Sequence, residues 1–410
     1  MSVTPAPPET PDPAFLNRLR AEVRAALPQV IALRHDLHAH PELSGGEERT
    51  AGVVSGLLSQ AGIVHETRIG GTHGIVAVVE SGEGASGPTF ALRGDMDALP
   101  ITEENEVAYK SQNPGVMHAC GHDGHTANLL GAALALQAVR QTLPPGRVKL
   151  IFQPAEETVR GADAMIEAGA IKEVDAILML HGWPHLPPGQ IGVRNGPAMA
   201  SSDTFKVVIK GKGGHGAYPH DTFDPILCGA QVVTALQTLV SREIPPVSPA
   251  VVSVTMFHAG TARNIIPSTA EVCGTVRTLD PQLRKTMAER VERVIAGICA
   301  ALRCGYDFAY TYGTPVTVND ARISNLVRVV GSEVLGSENV IELPEPTMGA
   351  EDFAYYVEKI PGAMFRLGTG CPFLLHTPKY DFGDAPLETG ILLMAETARR
   401  FLAQGGLRPD

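Results

Sequence analysis

The 410-residue chain lacks several features that would assign it to a function class at once. It has no GxSxG elbow, which disfavours a serine hydrolase. Its six cysteines (120, 228, 273, 299, 304 and 371) include no CxxC pair, and their scatter suits free thiols in a reducing cytoplasm better than a disulfide framework. No run of about 18 apolar residues occurs, so no membrane span is expected. Positive charge is in deficit: 33 Lys and Arg stand against 44 Asp and Glu, a formal net charge of −11. With no basic stripe either, non-specific binding to nucleic acid or to an anionic membrane is disfavoured. The opening MSVTPAPPETPDPAF has neither the basic start nor the apolar core of a secretory signal; it reads as a flexible lead-in over residues 1–14. There is no internal repeat.

What remains is an ordinary globular composition, 44 % apolar and 19 % charged, at a length that suits two domains. Helical spacing runs through PAFLNRLRAEVRAALPQVIALRHDLHAH and EERTAGVVSGLLSQAGI. Short β-branched runs then alternate with helical stretches: strands in residues 74–81, 89–95, 146–157 and 174–182, with a helix over HTANLLGAALALQAVRQTL. This alternation predicts an α/β domain with a mixed, largely parallel sheet flanked by helices. From about residue 201 the order becomes β-α-β-β-α-β, a smaller α+β two-layer sandwich inserted into the first domain. The expected boundaries are 1–200 and 314–410 for the first domain and 201–313 for the insertion.

Chemistry-bearing residues gather where apolar runs end. FALRG leads to Asp95 and Asp97, KLIFQPA to Glu156 and Glu157, AILML to His181, and AMFRLGTGCPFLL to His376. In open α/β sheets, sites lie at the carboxyl ends of strands. The stretch MHACGHDGH, at a strand-to-helix turn, adds Cys120 and His122 in a Gly-containing loop where both can face one centre. Adjacent Glu156 and Glu157 point in different directions if the backbone is extended, which suits one to ligate a cation and the other to act as general base. Cys120, His122, Glu157, His181 and His376 make five ligands, too many for one tetrahedral ion with an open position. Two ions about 3.5–4 Å apart fit better. His118 and His125 read as supports for these ligands, and the three histidines of RHDLHAH (His35, His38 and His40) as structural.

Eight ordered motifs then carry a resemblance. RHDLHAHPELSGGEERT, LRGDMDALPITEE, MHACGHDGHTANLLGAA, FQPAEE, GGHGAYPH, ARNIIP, MGAEDFAYY and LHTPKYDF are together similar to the aminoacylase/carboxypeptidase family of dinuclear metallohydrolases, in the branch of hippurate and indole-acetyl-amino-acid hydrolases. The resemblance spans about residues 25–400. It implies two divalent metal ions per subunit (Zn or Mn, with Co or Ni as substitutes), held by Cys120, His122, Glu157, His181 and His376, with Glu156 as general base. It further implies His215 as an oxyanion-stabilising residue, commonly reaching the partner subunit's site, and Asn264 and Arg263 as substrate contacts, Arg263 for a carboxylate. The inserted domain is expected to act as lid and to form a homodimer, or a tetramer built from one. The implied reaction is amide cleavage of N-acyl-L-amino acids; the alternative is a carboxypeptidase or dipeptidase. In wider relatives a His-x-Asp follows the second strand and a carboxylate bridges the metals. Here GDMD puts Asp95 in the His position and Cys120 takes the bridge, which leaves Asp95 and Asp97 as supporting residues.

Overall fold

The structure, a computed structural model, describes residues 12–82 and 86–407. The lead-in expected over residues 1–14 lies mostly outside the described residues, and its last two, Pro13 and Ala14, already belong to a helix. Two compact units form. The first comprises the described residues up to Gly196 with Val318–Pro344 and the chain from Tyr355 onward; the second is Pro197–Thr317 with Glu345–Ala354.

In the first unit, helix α1 (Pro13–Ala39) starts where the Asp12 carboxylate accepts the Ala14 and Phe15 N–H groups, with Pro13 in the first turn. Its apolar residues recur at three- and four-residue spacing and bury Phe15, Leu19, Val23, Val30, Leu33 and Leu37. Helix α2 (Glu48–Gln60) and strands β1 (Val64–Ile69), β2 (Gly74–Glu80) and β3 (Thr89–Asp95) follow, then helix α3 (His122–Val139) and strands β4 (Arg147–Gln153) and β5 (Ala176–Trp183). The sheet runs β1-β2-β4-β3-β5 and continues through Gly362–Gly368, Ile191–Val193 and Val340–Glu342. Strands β4, β3, β5 and Gly362–Gly368 are mutually parallel. Every residue of β3 and of Gly362–Gly368 is buried, as strands covered on both faces require. The expected mixed, largely parallel sheet with flanking helices is what forms.

Helix α3 is buried almost all round. It packs on the sheet, on α1 and on the last helix, Leu387–Ala403. Such burial needs small residues: a Cβ on Gly124 would lie 2.3 Å from the Phe382 ring. The consequence for function is that the first turn of α3, which carries His122, sits in a rigid core.

The second unit is the expected two-layer sandwich. Its antiparallel sheet has the order Ala250–Ala259, Thr269–Thr278, Ser202–Lys210, Gly305–Thr314. Helices Pro225–Thr238 and Pro281–Ala301 pack on it, each begun by an Asp cap followed by Pro. Alternate residues Phe205, Val207 and Ile209 face a hydrophobic core separate from that of the first unit.

Candidate metal centre

The site is built at the carboxyl ends of the parallel strands. Asp95 ends β3, Asp97 lies just past it, Glu156 and Glu157 follow β4, and His181 lies near the end of β5. His376 comes from the loop after Gly362–Gly368. Cys120 immediately precedes Gly121, whose φ of +85° forms the left-handed turn into α3. A residue with a side chain is strained there, so glycine between Cys120 and His122 is what the turn requires.

All five expected ligands come together in the first unit. One ligand atom each from Cys120, His122 and His181 lie within 4.8 Å of one another, and so do those of Cys120, Glu157 and His376. The two sets share the Cys120 sulfur. Its distance to His181 Nε2 is 3.7 Å, and His376 Nε2 lies 3.4 Å from Glu157 Oε1. Donors on one tetrahedral ion at about 2.0–2.3 Å sit at separations of this size.

Hydrogen bonds orient the rings. The His122 Nδ1–H donates to the Asp97 carbonyl at 2.8 Å, and the His181 Nδ1–H to the Gly182 carbonyl at 2.8 Å. Each ring thereby turns its Nε2 toward the shared centre. His122 Nε2 and Glu157 Oε1 are buried with no hydrogen-bond partner. Buried polar atoms left without a hydrogen-bond partner are costly unless a cation satisfies them, so the residues fit a metal pair. Asp95, His122 and His125 also approach one another. There, however, His125 is consumed: its Nδ1 bonds Asp95 at 2.7 Å and its Nε2 accepts the Gly182 N–H at 2.8 Å. That cluster is a support, as expected of Asp95 and His125.

Asp97 fixes three parts of the site. Its Oδ2 accepts the Ser44 hydroxyl at 2.6 Å and the Glu157 N–H at 3.0 Å, while its backbone carbonyl and Oδ1 face His122. Burial favours its neutral form, but bonding to His122 and Ser44 outweighs this and holds the carboxyl below its usual range. Burial and the adjacent Glu157 push the Cys120 thiol up to about 12. His122 is also buried, yet Asp95, Cys120 and Asp97 carry it well above the usual imidazole value. Burial and the nearby Arg366 drive His181 well below.

The glutamate pair departs from the expected extended backbone. Residues 156–159 form a turn, entered by Ala155 at φ +56°. Both carboxylates therefore reach His122, each with one oxygen within the same 4.8 Å cluster. Glu47 was missed from the sequence; its Oε1 accepts the Ala155 N–H at 2.8 Å and stabilises this strained residue. His118, expected to bond near the ligands, is buried with neither ring nitrogen hydrogen-bonded, and burial lowers it to about 4. His35 and His38 are structural as read: His38 bonds Asp123 at 2.9 Å and Glu103 at 3.0 Å.

His215, Arg263 and Asn264 belong to the second unit and gather there. His215 pairs with Ile265, and the Gly216 N–H donates to the Asn264 carbonyl at 2.8 Å. All three residues are exposed.

A family model described as Peptidase family M20/M25/M40 matches residues 91–400. The chain belongs to this peptidase family. The resemblance carried by the eight motifs is thereby borne out. The chain is 46 % identical over 305 residues to an N-acyl-L-amino acid amidohydrolase of Geobacillus stearothermophilus, covering 74 % of this chain and 80 % of that one. It is 38 % identical over 395 residues to thermostable carboxypeptidase 2 of Saccharolobus solfataricus, covering 94 % and 99 %. Among solved structures, a Bacillus subtilis protein described as a dinuclear metal binding peptidase of the M20 family superposes with a TM-score of 0.83 at 37 % identity, covering 93 % and 99 %. As a member of the M20/M25/M40 family, the chain is a hydrolase of amide bonds. Among its described residues no helix is long and apolar enough to cross a membrane.

Proposed function

We propose that the chain is a two-metal amidohydrolase that cleaves N-acyl-L-amino acids, N-acetyl or aromatic-acyl and hippurate-like, to a carboxylic acid and a free amino acid. The observation that carries this reading is the pair of three-ligand sets sharing Cys120, with the Glu156 carboxylate alongside. Cys120, His122 and His181 would hold one ion; Cys120, Glu157 and His376 the other. Thiolate and imidazole favour Zn or Co, carboxylate favours Mn, and Ni suits imidazole, so the donor set alone leaves the choice to experiment. Bound there, two divalent ions would supply Lewis acidity toward the amide carbonyl and lower the pKa of water.

The chain's own groups do the rest. Glu156 is buried at the edge of both sets, 8 % exposed. It takes the proton from the attacking water and returns it to the leaving nitrogen. His215, from the second unit and by resemblance that of a partner subunit, steadies the charge developing on the carbonyl oxygen. Arg263 offers a planar fork to the substrate carboxylate and Asn264 a polar contact. The second unit then acts as lid and dimer interface, and the scattered free thiols favour the cytoplasm.

The similarity to a carboxypeptidase supports a second reading, cleavage of short peptides. Metal-stripped protein should be assayed on paired acyl-amino acids and dipeptides after adding back Zn, Mn, Co or Ni. Preference for the acylated substrate supports the first reading, and preference for the dipeptide the second. Replacing Glu156 by Gln should leave metal content unchanged and lower kcat by about 10²–10⁴-fold, the usual share of a positioned acid–base. Near-normal turnover would remove Glu156 from its role.

A further inference from the structure

The five ligands are not equally well held. His122 stands in the first turn of α3 and His181 in β5, both buried. His376 has neither support. Its side chain is 53 % exposed, its φ is +61°, and it lies in a stretch between Gly368 and Leu387 that contains no helix or strand. Its N–H donates to the Ala119 carbonyl at 2.8 Å. A ligand on such a loop must be ordered by something else.

The loop's anchor is Arg34 of α1, whose side chain is fully buried. Its Nε donates to Asp384 at 2.7 Å, and one terminal nitrogen donates to Asp381 at 2.8 Å and to Asp123 at 3.3 Å. The guanidinium lies over the Tyr109 ring at 4.5 Å, and the Tyr109 hydroxyl donates to the other Asp381 oxygen at 2.7 Å. His35, stacked on Tyr109, bonds Asp384 at 3.0 Å. Asp381 and Asp384 belong to the His376 loop, while Asp123 adjoins His122. Asp123 has a second anchor in His38, so the His122 side does not depend on Arg34 alone.

We propose that Arg34 is a positioning residue that fixes the His376 loop and thereby sets the affinity of the Cys120/Glu157/His376 ion separately from its neighbour. The inference rests on the two-ion reading above. The planar guanidinium holds Asp384 and Asp381 on two separate nitrogens at a fixed spacing, which the single nitrogen of an ammonium on a flexible stem does not reproduce. Substituting lysine should therefore release the loop while keeping the charge.

The test is calorimetric titration of metal-free full-length protein with Zn, alongside hydrogen exchange over residues 371–386. Wild type should bind two ions. In Arg34→Lys, and more mildly in Asp384→Asn, one binding step should weaken about 10–100-fold, as loss of a group orienting a ligand does, while the other changes by less than about threefold. Exchange in the loop should quicken in the same variants before metal is added. Equal weakening of both steps, or a folded Arg34→Lys with both steps unchanged, would overturn the proposal. Asp384→Asn, at a half-exposed position, serves should Arg34→Lys not fold. A wild type that binds fewer than two ions would overturn the two-ion reading itself, and a quickened loop in the variants would then show Arg34 to be an anchor of the fold alone.

Discussion

His122 and His181 reach the centre with the same nitrogen, Nε2, their Nδ1 being held by two different devices: a carbonyl of the β3 loop for one and the neighbouring Gly182 carbonyl for the other. Cys120 and His122 nonetheless begin as poor donors for a cation. Burial pushes the Cys120 thiol up to about 12, and although His122 is buried too, the carboxylates of Asp95 and Asp97 carry it well above the usual imidazole value. A cation must displace both protons, so metal affinity should fall as pH falls. Titration near pH 7 in two buffers of different ionisation enthalpy should show roughly two protons released on full loading, one from each group. Release of none would contradict these assignments. At this scale the sequence was informative where chemistry clusters locally, as in MHACGHDGH and QPAEE. It was silent on the Arg34 hub, because its partners lie 89 and 350 residues away and are individually ordinary acids. Nor does any residue pattern announce a left-handed Ala155, which depends on the distant Glu47.

Helix α1 was legible as an element from its apolar spacing, but the purpose of its buried polar face was not. His38 shows what that face does. Burial opposes its charge, yet Asp123 and Glu103 raise it to about 10. A group raised in the folded state above its unfolded value of about 6.5 stabilises fully below that pH, and the contribution is lost as pH rises through the folded value. Asp123 is shifted the opposite way: burial is overcome by His38 and Arg34, and its contribution is lost only in acid. The thermal midpoint of metal-free protein should therefore decline between about pH 6.5 and 10, and a His38→Gln variant should decline less over that window. Parallel decline of the two proteins would place the alkaline sensitivity elsewhere. The same helix face leads to Arg34, so one element ties the loop of His376 to the first turn of α3.

At the scale of the whole molecule, two separate hydrophobic cores serve two units, and the five proposed ligands belong to one of them. Anything that binds only the native state raises its stability by mass action. Calorimetric unfolding should resolve two transitions, of which added Zn raises one and EDTA lowers the same one; a single transition moving as a block would contradict this independence. The change from strand–helix alternation to β-α-β-β-α-β was readable because the order of elements follows hydrophobic period. The clustering of residues 345–354 with the second unit was not, since it depends on tertiary contact rather than on any local pattern. The central claim, that two donor sets sharing Cys120 would hold two ions, is tested most directly by X-ray absorption at the metal edge of fully loaded protein. The expected spectrum has one sulfur per ion at about 2.3 Å and a metal–metal vector of roughly 3.5–4 Å. A shell of nitrogen and oxygen only, with no second metal in range, would contradict the account.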